Sequence, residues 1–134
     1  VRATIIRKSD VQDDLRHQPT KFLQFAWYAH FAAALAGEML SEETLFCAAS
    51  IGTRREKVAF REALKAALRR AQPIVKPLID FRQCAMDPCL KVADYCAWAL
   101  QRKWESDGQD LRSYTLIADR IDCEVQQWDL ETMV

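Results

Sequence analysis

Glycine and proline are scarce in this chain, three and four among 134 residues. That scarcity argues against disorder and against a loop-rich all-β fold. Net charge is absent as well, with 19 Lys and Arg set against 19 Asp and Glu. The simplest case for nucleic-acid binding, a basic chain, is thereby removed, although a local basic patch stays open. There is no CxxC pair among the five cysteines at 47, 84, 89, 96 and 123. Their odd number and wide spacing suit free thiols in a reducing compartment, so a cytoplasmic location is expected. Cys84, Cys89 and Cys96 could offer three thiolates to zinc, with His17, His30 or a distant cysteine as the fourth ligand. Their spacing fits no ribbon or finger. No signal peptide is visible. The longest apolar run, residues 25–35, is interrupted by His30 and is too short to span a bilayer, so no membrane partner is expected.

What is present suits one α/β domain over residues 1–134. Half of the chain is hydrophobic, with four Trp, six Phe and three Tyr. The length is enough for a single core and too short for two ordinary domains. Residues 2–8 (RATIIRK) read as a strand and residues 9–19 as a polar loop. Residues 20–40 read as a helix with Phe22, Ala26, Ala29, Ala33 and Ala36 on one face; Phe25, Trp27 and Phe31 widen its apolar arc. Residues 45–50 form a short apolar run that suits a buried strand. A second helix starts at the Thr53-Arg-Arg-Glu56 capping box and runs to Gln72, where Pro73 stops it. Its inward positions are Phe60, Ala63, Ala67 and Ala71. Residues 74–81 give a third strand. Asp87-Pro88 is an N-cap followed by proline at the first helical position. The helix it opens carries Ala93, Cys96, Ala97, Leu100 and Trp104 as an apolar stripe. A last helix places Tyr114, Ile117, Ile121, Val125 and Trp128 on one face. The order β-α-β-α-β-α-α predicts a mostly parallel sheet flanked by helices.

One acid, Asp94, sits beside the apolar stripe of the third helix. A carboxylate at the edge of a buried seam must be paired, hydrogen-bonded or metal-bound. It is therefore either a structural acid or a metal or acid–base group. Asp80, Glu38 and Glu105 are the other acids considered near it, and none forms a spacing motif with it. Magnesium needs hard oxygens converging from separate elements, so Asp94 alone does not suffice. His30 reads as a packing residue among aromatics. Ser50 follows a strand but lacks the glycines of a nucleophile elbow. Arg54, Arg55, Arg61, Lys65 and Arg69 make the strongest cationic stripe. Such a stripe is either a solvated helix face or a set of phosphate contacts. Trp98 and Trp104 read as core and helix-packing surface.

From Leu90 the chain reads LKVADYCAWALQRKWE, followed by Asp107 and then Ser113-Tyr-Thr-Leu-Ile. This resembles the C-terminal part of the prokaryotic and phage family known as domain of unknown function 3800. The resemblance covers residues 79–124 well and the earlier elements more loosely. It implies an RNase H-like fold and a metal-dependent nuclease, in which Asp94 and an N-terminal Asp-Glu-Ser-Gly strand would hold Mg²⁺ or Mn²⁺. That strand is absent here, and Lys91 stands where the family has Gln. Three strands also make a thin sheet for so many helices. The expectation is an RNase H-like domain whose N-terminal strands are missing, or which accepts a strand by forming a homo-oligomer. Two functions follow: phosphodiester hydrolysis by the full-length form, with nucleic acid as partner and the cationic stripe on phosphates, or a catalytically inactive interaction or oligomerisation module.

Overall fold

The computed structural model describes residues 1–50 and 52–126. It is mixed α/β, with four strands among the described residues where three are expected. The elements run β1 (Arg2–Ile5), α1 (Asp13–Arg16), α2 (Pro19–Ala29), β2 (Leu45–Ala49), α3 (Arg54–Ala71), β3 (Leu78–Arg82), α4 (Pro88–Glu105), α5 (Arg112–Thr115) and β4 (Cys123–Gln126). α2 continues directly into a π-helical turn, His30–Ala34, in which the Leu35 N–H bonds the carbonyl of His30.

The strands are parallel, as the alternating order predicts, but they make two sheets. β1 pairs with β4, Arg2 opposite Cys123, and β2 pairs with β3, Leu45 opposite Leu78. β4 falls within the expected last helix. Among the described residues of that segment, only Arg112–Thr115 and a 3-10 turn at Ala118–Arg120 are helical. Ile117 packs on Cys96 and Ala99 of α4, and the chain then turns. The Asp122 N–H bonds the Val1 carbonyl, and the segment that follows pairs with β1 as a strand. Trp128 lies outside the described residues. The third strand starts later than expected, because Pro73 and Pro77 occupy the run before it.

The larger core lies between α2 and α3. Phe31, Leu64, Ala67, Leu68 and Val75 are buried there, with Trp27, Phe46, Phe60 and Ile79 packed against them. Leu64 and Leu68 follow the expected inward positions of α3 round by one residue. Its N-terminus has the expected capping box: Thr53 Oγ1 accepts from the Glu56 N–H, and the Glu56 carboxylate accepts from the Thr53 N–H. α4 is capped as expected, with Asp87 Oδ1 accepting from the N–H groups of Cys89 at 2.9 Å and Leu90 at 3.2 Å.

Candidate functional site

Asp94 is exposed, and among the described residues it makes no hydrogen bond or ion pair, Lys91 included. The edge of the stripe is solvent. Cys96 and Leu100 are buried, but Ala93 and Ala97 are exposed. These four residues and Trp104 form one wall of an open groove of about 1080 Å³, and residues 1–9, including all of β1, form the other. The expected buried seam is thus half open. β1 carries β4 along one edge, and no other strand among the described residues pairs with it. Beyond the stripe, Val92 is 61% exposed and Trp98 is 48% exposed, with the Trp98 ring 5.8 Å from that of Tyr95. Trp98 is therefore surface, not core.

The other acids considered near Asp94 are engaged elsewhere. Asp80 accepts from Arg82 Nε at 2.7 Å, and the same guanidinium reaches Asp87 at 3.1 Å. These two bonds hold Arg82 firmly protonated, and the Arg82 contact, with the helix-capping amides, keeps the Asp87 carboxyl below its usual range. Glu38 pairs with Arg2 at 2.7 Å, and Glu105 accepts from Gln101 at 2.7 Å. Among the described residues no three His, Cys, Asp or Glu side chains come together as a metal group. One exposed carboxylate does not fit a magnesium or manganese ion, which takes several oxygens at once.

The cationic stripe lies on α3. Arg54, Arg55, Arg61 and Arg69 are exposed, while Leu64 and Leu68 of the same helix are buried. Lys65 sits 3.7 Å from Glu62, and the Arg61 guanidinium lies 5.0 Å from the Phe81 ring centre. Two of the five are thus partly engaged on the surface. Arg54, Arg55 and Arg69 make no ion pair among the described residues.

The best-organised polar group escapes sequence reading. Glu124 of β4 accepts from Lys103 Nζ at 2.8 and 3.0 Å, from Trp104 Nε1 at 2.6 Å and from the Tyr114 hydroxyl at 3.0 Å. The Lys103 ammonium also lies 4.0 Å from the Tyr114 ring centre. Burial opposes ionisation of Glu124, but the three donors outweigh it and hold the carboxyl below its ordinary range. Burial likewise opposes the Lys103 charge, and its bonds to Glu124 and Tyr114 outweigh that too. Lys103, Trp104 and Tyr114 share Glu124 as their acceptor, so the cluster ties α4 and the α5 turn to β4. Lys103, Trp104 and Tyr114 stand on or beside α4 in the sequence, but their partner acid lies in a segment expected to be helical.

Comparison with protein-family models, with curated proteins and with solved structures finds no match.

Proposed function

We propose that this domain is an interaction module that takes up an extended strand along β1, and that a second copy of the chain supplies it. The observation that carries this reading is the pairing of an apolar groove with strand edges that lack neighbours among the described residues. A parallel pair of strands is a weak structure by itself; parallel sheets normally have several strands with both faces covered. An unpaired edge is a template for strand addition, with main-chain bonds giving affinity and side-chain pockets giving register. The wall opposite β1 has a run of small side chains, Ala93, Cys96 and Ala97, before the larger Leu100 and Trp104, and this run leaves room for a backbone. Zero net charge places no long-range repulsion between copies.

Light scattering over a dilution series tests it. The native chain should self-associate, and Ala97→Arg, which puts a long cation into the groove, should shift it to monomer. A native chain that is monomeric throughout would overturn the reading.

A nuclease is the second reading, favoured by one observation: Asp94 is exposed and unengaged, as a carboxylate awaiting partners would be. By the family resemblance, further acids would have to arrive with an added strand before Mg²⁺ or Mn²⁺ could bind. Manganese should then raise the melting temperature only of an assembly that supplies those acids, and Asp94→Asn should abolish the rise.

A further inference from the structure

β1, one wall of the groove, is held from behind by the π-helical turn. Thr4 Oγ1 and His30 Nδ1 are 3.0 Å apart, Arg2 Nη1 reaches the Ala34 carbonyl at 3.5 Å, and Arg2 Nη2 reaches Glu38 at 2.7 Å. His30 begins the turn and is half-buried, with the rings of Trp27 and Phe31 each 6.1 Å from its own. The other histidine, His17, is exposed at the end of α1. π-helical turns are rare and concentrate where a helix has something to do.

We propose that the Thr4–His30 contact is a pH-sensitive latch, closed while the imidazole is neutral and loosened when it gains a proton. The ring exchanges a hydrogen bond with the Thr4 hydroxyl in either neutral tautomer and can donate one when protonated, so the cost of acid is the charge it brings to a half-buried site. A protonated ring brings a second cation beside Arg2 within an aromatic enclosure. Among the described residues no acid is placed to offset it. Glu38 is committed to Arg2, and Glu124 of β4 is committed to Lys103, Trp104 and Tyr114. The Cys123 thiol lies near Arg2, and α3 meets this segment with Leu64 and Leu68. Burial first, then the Arg2 charge, lowers the proton affinity of His30. Acid thus loosens β1 from its backing and leaves the groove with a mobile wall. Any effect on strand uptake rests on the reading of the groove given above; the latch does not.

Hydrogen exchange of the β1 amides, corrected for intrinsic rates, tests the latch. Protection should fall about ten-fold between about pH 7.5 and about pH 5.0, and His30→Asn, whose amide reaches Thr4 without titrating, should hold its protection. Equal losses in both proteins, or none in the native chain, would overturn the proposal. In the native protein the His30 ring should titrate by NMR below 6.5; a midpoint at or above that value would also overturn it. Exchange that follows this pattern in a chain that stays monomeric would leave the latch standing and remove the strand-uptake reading.

Discussion

Lys103 Nζ donates to both oxygens of Glu124, at 2.8 and 3.0 Å, and so joins the C-terminal part of α4 to β4. Both side chains are largely shielded, 24% and 12% exposed. Removing the acid leaves a shielded ammonium, an indole N–H and a phenol hydroxyl without their acceptor. Glu124→Ala should therefore lower stability by about 2 kcal/mol in a denaturant titration.

The same carboxylate sets a pH dependence. Its folded-state proton affinity lies below the ordinary value of 4.5. The unfolded chain thus takes up the proton first as pH falls. The contribution of Glu124 is complete above 4.5 and is lost below it, as pH drops through the folded-state value. Denaturation midpoints should fall less between neutral and acid pH in Glu124→Gln than in the native chain.

Leu64 is fully buried between α2 and α3. Leu64→Ala should destabilise by about 3 kcal/mol, from lost burial together with the cavity left behind. The exposed Val58 of the same helix makes the control: Val58→Ala should leave the denaturation midpoint nearly unchanged.

Thr53→Ala removes the side-chain acceptor for the Glu56 N–H at the start of α3. A loss of about 1 kcal/mol is expected by thermal unfolding. Thr53→Ser, which keeps the hydroxyl, should restore most of it.

The features most legible in the sequence are those governed by neighbours along the chain. The Thr53–Glu56 box and the Asp87-Pro88 start are local hydrogen-bond patterns, and both helices begin where those residues say. Parallel pairing followed from the alternation of elements. The segment after Ile117 was misread because Ile117, Ile121 and Val125 fit a helical stripe, while the bonds from Asp122 and Cys123 to Val1 lie far off in sequence. For the same reason the acceptor of Lys103, Trp104 and Tyr114 could not be named from spacing. Asp94 was legible as an unusual acid; that it looks onto solvent depends on what does not pack against α4, and no local pattern encodes that.

The π-helical turn has a consequence for chain length. Each residue turns an α-helix by about 100°, and a π turn holds one residue more than the α turn it replaces. Deleting a single residue from Phe31–Ala34 would let ordinary α bonds close there. The residues beyond the deletion would then keep their phase relative to His30, because the residue that closes the π bond would close an α bond instead; the full-length segment wound as a regular α-helix would turn them by about 100° and carry Ala34 away from Arg2. The extra residue is therefore a wedge that the π bond absorbs: it is the winding of this turn that sets the phase between the face that meets β1 and the face that meets α3, and a change of winding at constant length would be felt in both.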